Sequence, residues 1–212
     1  MDSREIFHLL IAILVLAIVI SFANALKGNF LSIGLALLFA FLIIAFNVVG
    51  KKIAASSLDV DVENELWFWE RYGLKPGWHL EKPIPLGVIL PLVLTAFSVG
   101  IVKCMTLITY ETKALKRRAA RRFGFYSFAE MTDWHTSLIG AAGIVAVLIL
   151  AVIAYFIPGI EGLTKMAIYY SFWNLIPFSK LDGSQIFFGS RVIWTALALI
   201  TIIATAYALV LV

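Results

Sequence analysis

Residues 174–184 read Asn174-Leu175-Ile176-Pro177-Phe178-Ser179-Lys180-Leu181-Asp182-Gly183-Ser184 and close an apolar stretch that runs from about Leu163 to Pro177. Pro177 lacks a backbone donor and stops a helical ladder. Gly183 permits a tight turn. Between them a carboxylate, Asp182, is left at or inside the edge of the apolar layer that the helix enters. A charge in that position is costly and marks a functional site by default.

Working outward, apolar stretches flank this segment on both sides. They cover about Ile6–Ala25, Phe30–Ala55, Ile84–Met105, Thr136–Phe156 and Val192–Val212. A membrane span takes roughly 20 apolar residues of helix. Of the 212 residues 62% are hydrophobic and 14% charged, against about 25% charged in a soluble domain. The mean hydropathy is +0.97. The chain therefore reads as an all-α, multi-pass membrane protein of about six hydrophobic helices, with residues 1–212 forming one transmembrane domain. The third stretch holds Pro85, Gly87, Pro91 and Gly100, so a straight span and a bent, re-entrant element both fit it. Between the second and fourth helices, Leu58-Asp59-Val60-Asp61-Val62 alternates apolar and polar and predicts a short strand. Trp67 and Trp69 suit an interfacial belt. The first stretch is too long for a signal peptide's apolar region and reads as a retained helix.

The net charge is +4, and the excess is concentrated from Lys113 to Arg122. The loop spanning 103–122 is expected on the cytoplasmic side. No basic-aromatic platform accompanies it, which argues against nucleic-acid binding. The single cysteine, Cys104, excludes an intrachain disulfide and a thiol-rich metal site. If all six stretches cross, both termini lie outside, and Lys51 and Asp182 fall on opposite sides. A partial third stretch changes that parity.

The Asn-Leu-Ile-Pro and Leu-Asp-Gly run resembles the site-2 protease family of intramembrane zinc metalloproteases. Asn174, Pro177, Leu181, Asp182 and Gly183 match that family's segment, whose aspartate is the third zinc ligand. Where the family usually has prolines, Phe178-Ser179-Lys180 stands, which implies a looser turn. The family's other half is His-Glu-x-x-His on an earlier helix, with two zinc-binding imidazoles on one helix face and a glutamate as general base. His8, His79 and His135 are the only histidines, and none lies four residues from another. By position the counterpart is Asn47-Val48-Val49-Gly50-Lys51-Lys52, with Gly50 and Lys52 fitting the family's common form. Asn47 and Lys51 then hold the ligand positions and Val48 the base position. Asn47 is a poor zinc ligand, Lys51 repels a cation, and Val48 accepts no proton. Gly140-Ala141-Ala142-Gly143-Ile144 stands roughly where the family has Gly-Pro-x-x-Asn.

The resemblance thus implies a divergent member without catalytic residues, with Asp182 as the one retained ligand position and no cofactor expected. The implied groove comprises Asn47, Lys51, Asn174, Pro177, Asp182, Gly183 and His135. Its expected occupant is a transmembrane helix of another protein or a lipid, bound without cleavage. Two rival readings are an active metalloprotease with divergent ligands, which would carry zinc, and a small transporter or channel subunit. A corollary of the resemblance follows. An ammonium can occupy the charge position that zinc would have filled, and two uncompensated buried charges are costly, so Lys51 is expected to approach Asp182, directly or through water, with Asn47 close by. Tyr169, Tyr170 and Trp173 read as packing residues. Ser171 and Ser184 have no histidine partner nearby in sequence, which weakens a serine-hydrolase reading.

Overall fold

A computed structural model describes residues 3–29, 31–71, 79–114 and 132–211. Most of the basic run, including Lys116 and Arg122, lies outside the described residues, as do Lys75 and Trp78. Seven helices and four strands follow in the order α1 (Ser3–Leu26), α2 (Leu31–Ser57), β1 (Val60–Leu66), β2 (Trp69–Arg71), β3 (His79–Ile84), α3 (Leu86–Phe97), β4 (Ile108–Ala114), α4 (Asp133–Tyr155), α5 (Glu161–Leu175), α6 (Asp182–Gly189) and α7 (Arg191–Leu211). Four of them, α1, α2, α4 and α7, are long and apolar enough to cross a membrane. With 15 residues, α5 extends only about 22 Å, which falls short of a full hydrocarbon core. Of the about six hydrophobic helices expected, four among the described residues have spanning length, and the third and fifth apolar stretches form shorter helices.

The α1–α2 hairpin turns at Lys27 and Gly28, where Gly28 has φ +78°. Its other end is clamped by Glu5. This buried carboxylate accepts from Lys52 Nζ at 2.9 Å and from Asn64 Nδ2 at 3.1 Å, tying α1 to α2 and β1. The strand expected from the alternation at 58–62 is β1, shifted slightly toward the C-terminus. It pairs antiparallel with β4, Val60 opposite Ala114 and Leu66 opposite Ile108. Val60, Val62, Leu66 and the polar Asn64 of β1 are buried, while Asp61, Glu63 and Glu65 between them are more exposed.

The third apolar stretch does not cross. Helix α3 spans 12 residues with Pro91 inside it. The chain then turns at Val99 and Gly100, both at positive φ, and a Cβ on Gly100 would touch Ala23 near the far end of α1. An extended, buried run through Cys104, Met105 and Leu107 returns to β4. The two legs meet at one residue: Gly87 N–H donates to Trp67 O at 2.8 Å, and Trp67 N–H donates to Leu107 O at 3.0 Å. The stretch folds back on itself, in keeping with the bent of the two alternatives expected for it. The N-terminus lies at the sheet end of the bundle. At that same end, Tyr110 Oη of β4 donates to Thr136 O in the first turn of α4. Helix α4 ends at the opposite, hairpin end, where Tyr155 meets Tyr207 of α7. The described chain thus begins at the sheet end and finishes at the hairpin end.

The core runs between α1, α2, α4 and α5 around Leu16, Ile43, Ile44, Val147 and Tyr170. Helices α2 and α4 approach closely because α4 presents small residues. A Cβ on Gly50 would lie 2.6 Å from Ala146 Cβ, and one on Gly143 would lie 2.8 Å from Lys51 Cγ. The exterior is apolar, with Phe97 86% and Ile203 69% exposed. Such surface suits lipid rather than water.

Candidate functional site

Helix α2 carries Asn47 and Lys51 one turn apart, so both side chains lie on one face. That face looks across Gly143 of α4 toward the start of α6. Lys51 Nζ lies 2.7 Å from Asp182 Oδ2, and both side chains are 0% exposed. The ion pair expected from charge compensation is formed. Asn47 is also fully buried and close enough to interact with the Asp182 carboxylate, though outside hydrogen-bond geometry. The re-entrant third stretch is what makes this meeting possible, because it brings the end of α2 and the start of α6 to the same end of the bundle.

Two tyrosines, neither of them expected in the site, complete it. Lys51 Nζ sits over the Tyr110 ring, 4.6 Å from its centroid, a cation–π contact. Burial first, and then the Asp182 carboxylate, push the Tyr110 phenol well above its ordinary range, so it is a neutral donor to Thr136 O. Tyr170 is buried beside this cluster, and its hydroxyl, with Asn174 Oδ1 and the Asn47 amide, has no hydrogen-bond partner among the described residues. No sequence signal pointed to Tyr110, which lies in a strand far from both charges in the chain. Tyr170 was read as packing, and it does belong to the core.

Asn174 has a positioning role: its Nδ2 donates to Met105 O at 3.1 Å and to Tyr170 O at 2.9 Å. It thereby pins the returning leg of the re-entrant element to α5. Pro177 follows the helix end and is exposed. Gly183 packs directly on the Leu175 carbonyl, where a Cβ would clash with backbone. The looser turn expected at Phe178-Ser179-Lys180 is instead tied down. Phe178 packs against Trp67 and Trp69. Trp67 Nε1 donates to Ser179 Oγ at 3.2 Å, and Thr109 Oγ1 donates to Lys180 O at 2.5 Å. Aromatic packing and side-chain donors thus replace prolines as the restraint. Trp67 is accordingly a fully buried anchor rather than an interfacial belt residue.

A cavity of about 300 Å³ is lined by Asp133, Thr136, Ser179, Lys180, Ser184, Gln185 and Phe188, two of them in the first turn of α6 after Asp182, while the buried pair itself does not line it. Gln185 Nε2 donates to Tyr110 O at 3.0 Å and Lys180 O at 3.2 Å, linking the cavity wall to β4. His135, expected in the groove, does not line this cavity. It stands in the first turn of α4 and its Nδ1 meets Thr132 Oγ1.

A zinc ion does not fit this donor set. Zinc needs several thiolate, imidazole or carboxylate ligands. Here one carboxylate faces an amide and an ammonium, and the ammonium already occupies the direction a cation would take. No group of three His, Cys, Asp or Glu residues able to hold a metal occurs among the described residues. No protein-family model matches the chain, and no curated protein or solved structure is detectably similar to it.

Proposed function

We propose that the chain is a site-2-protease-like, multi-pass membrane protein in which an internal ion pair stands where the protease holds its metal, and that it binds a transmembrane segment of another protein, or a lipid, beside Asp182 without cutting it. The observation that carries this reading is the 2.7 Å Lys51–Asp182 contact, with Asn47 one turn earlier on the same face. It joins the two halves of the resemblance that are far apart in the chain. Gly143, in the segment that stands roughly where the family has Gly-Pro-x-x-Asn, lies against the Lys51 stem. The cavity flanked by Ser179, Ser184 and Gln185 offers hydrogen-bonding groups at the end of the bundle where a partner helix would need its last turn satisfied. The basic run that follows β4 in the sequence favours a cytoplasmic sheet end by the positive-inside rule.

The test combines metal analysis with peptide binding. Purified protein in detergent is expected to hold no stoichiometric zinc, to leave a synthetic transmembrane peptide intact, and to bind that peptide less well once Ser184→Trp fills the cavity. The triple variant N47H/V48E/K51H is expected to gain stoichiometric zinc, because it supplies two imidazoles at i and i+4 facing Asp182. Chelator-sensitive cleavage by the unmodified protein would overturn the proposal in favour of a working protease. Failure of the triple variant to take up zinc while remaining folded would overturn the alignment.

A further inference from the structure

At the hairpin end, remote from Asp182, a second cavity of about 160 Å³ lies between the α1–α2 hairpin, the return leg of the re-entrant element and α5. Its polar lining is Ser21, Asn24, Ser32 and Lys103, and its apolar lining includes Leu35 and Phe39. No carboxylate lines it. Lys103 is half-buried, and its only hydrogen-bond partner among the described residues is the weak acceptor Met166 Sδ at 3.9 Å. It makes no ion pair among those residues, and it feels the like charge of Lys165 from α5. The cavity also meets the first turn of the 27-residue helix α2, whose unpaired N–H groups and dipole favour negative charge.

A half-buried ammonium at the end of an apolar bundle, with no ion-pair partner among the described residues, is costly and would be compensated by an anion in the cavity it lines. The cavity is smaller than the roughly 300–1,000 Å³ of a small-molecule pocket, so it accommodates an anionic group rather than a whole drug-sized ligand. Below the polar rim the surface turns apolar, with Leu35 56% exposed toward the exterior. That gradient matches a molecule with a charged head and a hydrocarbon tail. We infer that this cavity binds the phosphate of an anionic phospholipid headgroup through Lys103 and Asn24, with the Ser21 and Ser32 hydroxyls, which donate to Ile18 O and Asn29 O, on its wall and the acyl chains lying along the outer face of α2 at Leu35.

Native mass spectrometry from mixed micelles tests this. The unmodified protein is expected to retain phosphatidylglycerol in preference to phosphatidylcholine. Lys103→Gln should lower phosphatidylglycerol occupancy about fivefold, the factor that about 1 kcal/mol per basic residue provides. Lys103→Arg, which keeps the charge, should retain it, and Lys113→Gln at the sheet end should leave it unchanged. Should Lys103→Gln fail to fold, Lys165→Gln serves in its place, with a reduction in the same direction expected. Equal retention of the two lipids, or unchanged occupancy in the glutamine variants, overturns the inference. Displacement of the lipid by inorganic phosphate at equal concentration would assign the site to a free anion and overturn the lipid as its occupant.

Discussion

Replacing Lys51 by methionine keeps the length of the stem that packs on Gly143 but removes the charge, leaving Asp182 alone in a fully buried site. At 2.7 Å two unit charges attract by about 6 kcal/mol in a medium of effective dielectric about 20. Desolvating each ion opposes this by several kcal/mol, so the intact pair stands near balance. Breaking it does not, because the penalty on the remaining carboxylate has nothing to offset it. Such a loss is about 3–5 kcal/mol, equivalent to a fall of about 6–20 °C in melting temperature for a chain of this size. Thermal unfolding in detergent, followed by tryptophan fluorescence, reads it directly. The double variant K51M/D182N removes both charges and is expected to recover most of the loss. The reasoning is refuted if K51M melts like the unmodified protein, or if K51M/D182N melts lower than K51M.

Gly183→Ala should destabilise by about 1–3 kcal/mol through overpacking, since its Cβ would meet the Leu175 carbonyl; the same melting assay checks it. Gly143→Ala presses on the flexible Lys51 stem, 2.8 Å from Cγ, so its loss should be smaller than that of Gly183→Ala. Glu5→Gln weakens the bonds from Lys52 and Asn64 and should cost about 1.5–3 kcal/mol, with faster hydrogen exchange at the Asn64 amide. At the surface, the Glu63 hydrogen bond holds the Lys113 ammonium above its ordinary range. Its contribution to stability is present below a pH of about 10.4 and fades as pH rises through the raised value. Glu63→Gln should return the Lys113 titration, followed by NMR, toward that of an ordinary lysine.

Much of the architecture was legible in the chain because apolar length and periodicity are local properties. The bounds of α1 and α2, the strand at β1 and the helix stop before Pro177 all follow from neighbouring residues. The Lys51–Asp182 pair was legible for a different reason: the resemblance set Lys51 at a zinc-ligand position, and a buried ammonium there needs the carboxylate it faces. The third stretch was legible only as a choice between two shapes. An apolar run of spanning length reads the same whether it crosses or turns back. What decides it is the packing of Gly100 on Ala23 and the bonds that Gly87 and Leu107 both make to Trp67.

Tyr110 over Lys51, Gly143 against its stem and the anchoring of Ser179 by Trp67 were equally invisible, since each joins residues distant in sequence. The amino-acid order by itself determined which segments leave water and which charges those segments carry with them. Only the tertiary structure decided which helix ends meet, because that depends on how many segments cross, and hence on contacts between elements rather than on the composition of any one of them.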